Sequence, residues 1–205
     1  RLWVEGQVRR SLETLGVKSL SALLLHRPRQ LLDPDKKDLW HLLLQLKTNG
    51  IVGKIGFSIY TPDELDELWD SFKPDLVQAP YNVFDRRLDD SGWLQRMNQE
   101  NVEVHVRSIF LQGLLLMSED SRPEKFSKWA AVWSRWESWL SENGTAPVQA
   151  AVSFALSDRR ISKVVVGVDS LDQFKNIITM ANNVGKFPES FHITDTRLLN
   201  PSDWS

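Results

Sequence analysis

Five short apolar runs in this chain end in residues that could bind or react with a ligand. The residues at these ends are His26, Ser58, Gln78, the pair Arg107-Ser108, and Gly167. Imidazole can serve in acid-base and orienting roles near neutral pH, and hydroxyl and amide groups form hydrogen bonds with polar ligands. We interpret these residues as a first draft of an active site.

The elements that must position them are strands and helices in alternation. The apolar runs lie at residues 23–25, 54–57, 76–77, 104–106 and 164–166, and helix-like segments separate them. Parallel strands that are covered by helices on both faces read as continuous runs of Val, Ile and Leu. In such folds the chemistry lies at the carboxyl ends of the strands. The pattern therefore predicts an α/β fold with five parallel strands.

Helix signals divide the strands. Val4, Val8, Leu12 and Leu15 recur at helical spacing, and Thr61-Pro62-Asp63-Glu64 has the form of a helix start. The spacing predicts helices over residues 4–15, 39–47, 61 to about 72, 91–98, 121–140, 148–156 and 170 to about 183, followed by an irregular tail over 186–205. Four of the nine Trp lie between Trp129 and Trp139. Their spacing favours helix packing or a subunit contact over a substrate wall.

Two architectures fit this order of elements. One is an open, doubly wound sheet, which usually carries a Gly-rich phosphate loop after its first strand. The other is part of a (β/α)8 TIM barrel. Since no G-x-G-x-x-G motif follows any of the runs, the partial barrel is favoured.

Composition narrows the class of protein. A length of 205 residues predicts a single domain, and the net charge of −2 gives no electrostatic case for nucleic acid or an anionic membrane as partner. The chain has no Cys, which excludes disulfide and thiolate chemistry and fits a cytoplasmic location. No apolar run approaches the roughly 20 residues of a membrane helix, and no signal peptide is evident.

Longer strings around these ends make the chain similar to a known family. They are Leu24-Leu25-His26-Arg27-Pro28, Ile55-Gly56-Phe57-Ser58-Ile59-Tyr60, Val77-Gln78-Ala79-Pro80-Tyr81-Asn82, Arg107-Ser108-Ile109-Phe110-Leu111-Gln112-Gly113, and Val166-Gly167-Val168-Asp169-Ser170-Leu171-Asp172-Gln173. In this order and at about this spacing, they resemble strands four to eight of the aldo/keto reductases. The resemblance covers nearly the whole chain and implies a (β/α)8 barrel that is seen here without its N-terminal strands.

The resemblance implies transfer of a hydride from a nicotinamide cofactor to a carbonyl. In the family a Tyr gives the proton, a Lys and an Asp assist it, and a His orients the carbonyl; His26 matches that histidine. The Tyr, Lys and Asp belong to the family's first three strands, for which this sequence has no counterpart. We therefore expect a fragment of a longer protein, since five barrel strands alone would leave two unpaired edges.

The cofactor residues that the resemblance implies are more complete. Ser58 and Gln78 match positions that bind the nicotinamide carboxamide, and Arg107 matches the residue that stacks on the nicotinamide ring, as a planar guanidinium can. Two further groups match the pyrophosphate loop and the phosphate and adenosine segment. They are Ser108, Phe110, Gln112 and Gly113 for the first, and Gly167, Ser170, Gln173 and Asn176 for the second.

The sequence departs from the family pattern in three ways. Ile59 stands where an Asn is common, which removes one hydrogen bond to the carboxamide, and Asn176-Ile177 replaces a Glu-Asn pair near the adenine. The places that hold the 2′-phosphate of NADP through basic side chains read Gly167, Asp169 and Gln173. An acid at Asp169 would repel a phosphate, whereas it could accept from a ribose hydroxyl. The family implies NADP(H), and NAD(H) is left open.

We therefore expect a nicotinamide-dependent oxidoreductase that reduces an aldehyde, a ketone or a sugar. The segment between Leu114 and Pro123 would border the pocket and set specificity. The alternatives are a nucleotide-binding relative that acts as a sensor or subunit without catalysis, and an unrelated barrel enzyme with similar strings. At the level of residues, His26 could be structural, Gln78 and Asn82 could satisfy loop backbone, and Arg107 could form a salt bridge. No metal is expected, and a homo-oligomer is left open.

Overall fold

Each of the five apolar runs contributes to a β-strand in the computed structural model, which describes residues 2–189 and 191–204. The strands are β1 (Leu20–Leu25), β2 (Val52–Ser58), β3 (Leu76–Pro80), β4 (Glu103–Arg107) and β5 (Lys163–Val164). β5 is shorter than its apolar run. Beyond it the Val165 N–H donates to the Val106 carbonyl at 2.7 Å, and the chain then turns away from the ladder.

The strands follow one another in sheet order as they do in sequence, from β1 to β5. The ladders β1/β2, β2/β3 and β4/β5 are parallel, with Leu25 opposite Phe57, Ser58 opposite Gln78 and Val106 opposite Val164. Connections between parallel neighbours need a crossover, which the helices provide. The predicted parallel α/β fold is confirmed.

One glycine permits the close approach of β2 to its neighbours. A Cβ on Gly56 would lie 1.7 Å from the Leu76 carbonyl oxygen and 3.2 Å from the Leu24 side chain. No side chain fits into that space, so this strand position requires glycine.

Nine α-helices lie among the described residues. They are α1 (Leu2–Leu15), α2 (Lys37–Thr48), α3 (Asp63–Leu68), α4 (Arg87–Asp90), α5 (Trp93–Gln99), α6 (Ala130–Asn143), α7 (Pro147–Ser157), α8 (Leu171–Asn182) and α9 (Thr196–Leu199). Short 3-10 helices occupy 28–32, 34–36, 114–116, 119–121, 124–129 and 201–203. No described helix has the length and apolarity that are needed to cross a bilayer.

The structure corrects several predicted helix boundaries. The helix expected to reach about Phe72 ends at Leu68. The helix expected over 91–98 begins at Trp93 instead, because Gly92 takes a left-handed φ of 81° after the short α4.

The helix expected over 121–140 is in two parts. Residues 124–129 are 3-10, and α6 follows. The Phe126 carbonyl accepts from the Trp133 indole at 3.0 Å, and the Ala130 N–H donates to Ser127 three residues back. These bonds keep the first part tighter than an α-helix.

The stretch 186–205 was expected to be irregular, and it contains more order than that. The Asp195 carboxylate caps α9 by accepting from the Arg197 N–H, and Asn200 caps the 3-10 turn over 201–203 in the same way. Leu198 and Leu199 are buried. Local capping and burial of two leucines hold this segment, although it lacks helical periodicity.

The described residues form two compact units. The first comprises residues through 79 together with 95–104, and the second comprises 80–94 and those from 105 onward. The core of the first includes Leu43, Ile55, Phe57, Leu65 and Leu68. The core of the second contains an aromatic cluster in which Phe84 contacts Trp133, Trp136 and Phe191. The Trp segment thus packs inside its unit, in line with the helix-packing interpretation. That the chain is a single domain stays a prediction.

Candidate functional site

His26 follows directly after β1 and contacts a tyrosine. Its Nε2 lies 3.3 Å from the Tyr60 hydroxyl, and the two rings meet edge to face with centroids 5.8 Å apart and planes at 82°. Both side chains are exposed, Tyr60 to 37%. A hydrogen bond therefore links the imidazole to the residue two positions after the end of β2.

Ser58 and Gln78 come together through the register of β2 and β3. They are opposite each other in the ladder, and the Ser58 hydroxyl donates to the Gln78 side-chain oxygen at 3.4 Å. Ser58 is buried and Gln78 half-buried. The predicted pair thus forms one polar contact at the carboxyl ends of adjacent strands.

The second unit contains a groove of about 750 Å³. It is walled by the loop after β4, by the start of α7, by the chain after β5 and by α8. Eight of the predicted cofactor residues line it, namely Arg107, Ser108, Phe110, Gln112, Gly113, Gly167, Gln173 and Asn176. Apolar side chains including Ile109, Leu116, Val148 and Val166 complete the walls. A volume of this size lies within the range of small-molecule and cofactor sites.

The loop after β4 has an unusual backbone. Ser108, Leu111 and Gln112 take left-handed φ values of 59°, 48° and 54°, and Gly113 has a φ of 88°. Left-handed backbone is uncommon for residues other than glycine, and it concentrates at ligand-binding sites when surrounding bonds enforce it. All residues of the segment 107–113 except Leu111 line one wall of the groove.

Asn82 supplies part of that enforcement. The side chain of this buried residue donates to the Ser108 carbonyl at 3.1 Å and accepts from the Phe84 and Asp85 N–H groups, each at 2.9 Å. Asn82 thus satisfies loop backbone, as the sequence analysis allowed. Through Ser108, Asn82 holds the start of the groove loop.

The N-terminus of α8 is capped by Ser170. The Ser170 hydroxyl accepts from the Gln173 N–H at 3.2 Å, which satisfies one N–H that the helix leaves unpaired. The Gln173 side-chain oxygen in turn accepts at 2.8 Å from the N–H of Asp169, the residue before the cap. Ser170 itself is not among the residues that line the groove. Its observed role is to fix the helix that carries Gln173 and Asn176.

The charges in the groove are balanced. The charged residues that line it are Arg107 and Asp169, and the Arg107 guanidinium donates to the Ser108 hydroxyl at 3.2 Å. One cation and one anion, together with the amides of Gln112, Gln173 and Asn176, suit a polar ligand that carries both hydrogen-bonding groups and charge.

Residues that could hold a metal are not clustered. Within the described ranges, no group of three or more His, Asp or Glu side chains is arranged to coordinate an ion.

Sequence reasoning missed Tyr60 as a partner of His26 and gave no role to Glu64 beyond a helix start. The signal for Glu64 was available, because Thr61-x-x-Glu64 has the spacing of a capping box. The approach of Tyr60 to His26 depends on the pairing of β1 with β2, which no local pattern specifies.

Comparisons with known proteins give the family. The sequence matches the aldo/keto reductase family over residues 1–193. It is 24% identical to the L-glyceraldehyde 3-phosphate reductase of Escherichia coli O157:H7, in an alignment that covers 97% of this chain and 65% of that protein. The chain therefore spans just under two thirds of the length of this relative.

Solved structures with the same fold are also aldo-keto reductases. AKR11C1 from Bacillus halodurans, in its holo form, superposes with a TM-score of 0.68 at 19% identity, over 93% of this chain and 70% of that one. A thermostable aldo-keto reductase in complex with the inhibitor epalrestat gives a TM-score of 0.67 at 16% identity, over 92% and 63%. The five-stranded sheet is accordingly part of a (β/α)8 barrel, and the chain belongs to the aldo/keto reductase family.

Proposed function

We propose that this chain binds a nicotinamide dinucleotide in the groove of its second unit and that His26 orients the carbonyl of an aldehyde, ketone or sugar for reduction. The observation that carries the proposal is the groove itself. It gathers, in a chain of this family, the loop after β4, the turn after β5 and the N-terminal half of α8.

The hydrogen-bond donors that line the groove suit a dinucleotide. Arg107 and the amides of Gln112, Gln173 and Asn176 offer N–H groups along its walls, and α8 is long enough for its N-terminus to favour an anion. The left-handed loop after β4 brings backbone close to the space. In this proposal Arg107 faces the nicotinamide ring, and residues 108–113 run along the pyrophosphate.

The reaction divides between the cofactor and the protein. When bound, the nicotinamide would supply the hydride, and the family's Tyr, for which this sequence has no counterpart, would supply the proton to the alkoxide. His26 would hold the carbonyl oxygen by a hydrogen bond, which stabilises the charge that develops there. Ser58 and Gln78, in contact at the ends of β2 and β3, would bind the carboxamide, as the family resemblance implies. Leu116, which lines the groove, belongs to the segment 114–123 that we expect to contribute to substrate choice.

Cofactor choice depends on the charge near α8. The family resemblance points to NADP(H), whereas the carboxylate of Asp169 favours NAD(H), because a 2′-phosphate carries about −1.5 to −2 charges at neutral pH. We propose a nicotinamide dinucleotide as the cofactor. Titration with NADH and with NADPH compares the two affinities and so measures the effect of the 2′-phosphate on binding.

Binding is tested with two neighbouring Trp substitutions. A Cβ on Gly167 would meet nothing within 4 Å, so Gly167→Trp can be accommodated by the backbone while its ring fills the groove. Val168→Trp adds an indole one residue further on, at an exposed position that is not among the groove residues. We expect calorimetric titration with NADH and NADPH to show at least tenfold weaker binding for Gly167→Trp and unchanged binding for Val168→Trp. Equal affinities in the two variants would remove the groove from the proposal.

Reduction is tested in the longer protein that the resemblance implies, with the family's Tyr, Lys and Asp present, by following NAD(P)H oxidation with a panel of aldehydes, ketones and sugars. His26→Gln should lower kcat/KM about 100-fold or more with unchanged cofactor affinity, as expected for loss of a group that acts on the developing charge. Cofactor binding without turnover of any carbonyl would favour the alternative function, a nucleotide-binding sensor or subunit.

A further inference from the structure

A buried carboxylate in the first unit has no part in the proposed reaction. Glu64, in the first turn of α3, is only 6% exposed. One of its oxygens, Oε1, accepts from the backbone N–H of Tyr60 at 2.6 Å and from that of Thr61 at 3.2 Å. Hydrogen bonds to a carboxylate are stronger than those between neutral groups. Glu64 therefore fixes the backbone at the turn that joins β2 to α3.

The other side of this turn is fixed by the sheet. The Ile59 N–H donates to the Gln78 carbonyl at 2.9 Å, and the Ile59 side chain is completely buried. Tyr60 thus follows a residue that is anchored in the core, and Glu64 holds the Tyr60 N–H and that of the next residue. Its Cα position is set from both directions.

From this fixed backbone the Tyr60 side chain reaches His26. The hydroxyl lies 3.3 Å from Nε2, and the rings pack edge to face. His26 is exposed and comes directly after its strand, so without such a contact the imidazole could rotate among rotamers. The contact connects the imidazole to the buried Glu64 through the side chain and the backbone N–H of Tyr60.

We propose that Glu64 and Tyr60 are positioning residues that hold the imidazole of His26 in one orientation and one tautomer for binding of the carbonyl oxygen. The proposal rests on the function assigned to His26 above. In a neutral imidazole, the hydrogen bond at one ring nitrogen decides which nitrogen carries the proton. A tyrosine hydroxyl can donate or accept, so the contact at Nε2 fixes the direction of the ring and leaves Nδ1 to bind the carbonyl oxygen. For Nδ1 to donate to that oxygen, the hydroxyl must donate to Nε2 and the imidazole proton must lie on Nδ1.

The first test observes the imidazole directly. Histidine labelled with ¹⁵N gives different nitrogen shifts for the two tautomers, and the signal of His26 is assigned by its loss in His26→Gln. We expect a single tautomer for His26 in the wild-type protein at a pH where the ring is neutral, and exchange between both tautomers in Tyr60→Phe.

The chain offers a matched control, because it has two tyrosines. Tyr81 is buried and stacks on Phe154, and that burial raises the pKa of its phenol. Tyr81→Phe removes the same hydroxyl and should leave the His26 signals unchanged. A mixture of tautomers in the wild-type protein, or an unchanged single tautomer in Tyr60→Phe, would overturn the proposal.

The second test separates the role of Glu64 from folding. Glu64→Gln keeps a side-chain oxygen that can accept from Tyr60 and Thr61, and it should preserve the wild-type His26 signals. Glu64→Ala loses the acceptor and should behave like Tyr60→Phe. If Glu64→Ala does not fold, Thr61→Pro removes one of the two N–H donors while it leaves the carboxylate in place, and a partial shift of the tautomer signals is expected. Wild-type signals in whichever of these variants folds would exclude Glu64 from the proposal.

Kinetics distinguish failure of this proposal from failure of the proposed function. We expect Tyr60→Phe to lower kcat about tenfold with little change in KM or in cofactor affinity, because misorientation of a catalytic group affects the reacting geometry. If His26→Gln is inactive and Tyr60→Phe has the wild-type kcat, only the positioning role fails. If His26→Gln retains full activity, the function assigned to His26 fails.

Discussion

At the scale of single residues, Asp169 is the carboxylate among the side chains that line the groove. The two cofactors differ by a 2′-phosphate, so we expect Asp169→Asn to strengthen NADPH binding about three- to tenfold relative to NADH binding, a change of about 1 kcal/mol at low ionic strength. Asp172→Asn makes the same change in net charge one turn away, at a residue outside the groove lining, and should leave the ratio unaltered. Isothermal titrations at two salt concentrations measure the ratio of the NADPH and NADH affinities. Equal shifts in both variants would mean that long-range charge alone is at work.

Residues that follow directly from strand register were predictable, whereas contacts across long sequence separations were not. Ser58 and Gln78 both stand at strand ends, so pairing of their strands brings them together. Tyr60 and His26 are 34 positions apart, and their contact needs the β1/β2 register, the β2–α3 turn and the bond from Glu64 at once. A pattern of residue types contains none of these distances.

At the scale of elements, the apolar runs predicted the strands well because burial on both faces leaves a continuous signal. The helix after Pro123 was predicted less well. Its apolar face is continuous, yet the Trp133 indole donates to the Phe126 carbonyl and residues 124–129 form a 3-10 helix. Side-chain hydrogen bonds to backbone compete with helix formation, and the spacing of apolar residues does not predict them. Periodicity also missed α9, a four-residue helix whose N-terminus is capped by the Asp195 side chain.

Strand β2 makes a sharp prediction about glycine. Gly56→Ala places a methyl group 1.7 Å from the Leu76 carbonyl oxygen, so the β2/β3 ladder must open. We expect a loss of about 3 kcal/mol or more in the free energy of unfolding, or failure to fold. Gly6→Ala, inside α1 with nothing within 4 Å of the new methyl, should instead stabilise the protein by about 0.5–1 kcal/mol. Urea unfolding of both variants compares them, and a tolerated Gly56→Ala would contradict this packing of β2 and β3.

The cap of α8 makes a second prediction at this scale. Ser170→Ala removes the acceptor for the Gln173 N–H and should cost about 1 kcal/mol. Amide exchange should become faster in α8 and stay the same in α6, which has its own cap at Gly144. Ser170→Thr keeps the hydroxyl and should restore slow exchange. Uniformly faster exchange in both helices would indicate a global effect and not loss of the cap.

At the scale of the whole molecule, order and spacing of the strings were sufficient to predict the family, although the identities to the two solved structures described above are below 20%. The parallel sheet and the crossover helices follow from that order, and eight of the eleven predicted cofactor residues line the groove of the second unit. The division of the described residues into two compact units was not predicted. It depends on which segments pack most densely, and here residues 95–104 belong with the first unit although residues 80–94 belong with the second.

Acid stability of the whole chain should depend on Glu100. Its carboxylate pairs with Lys73 at 2.6 Å and with Arg96 at 3.0 Å, and it accepts from the Trp69 indole. These contacts lower the pKa of Glu100 from 4.5 to about 2, and the hydrogen bond from Lys73 contributes most to the shift. A carboxylate whose pKa is lower in the folded state stabilises the protein fully above its unfolded-state pKa, and the contribution disappears as the pH falls through its folded-state pKa.

The difference in unfolding free energy between the wild-type protein and Glu100→Gln should therefore be constant from pH 7 to about 5 and shrink between about 4.5 and about 2. Urea unfolding at a series of pH values measures this difference. Lys73→Gln should reduce it at neutral pH, and a difference that persists undiminished at pH values near 2 would show that Glu100 acts through packing and not through its charge.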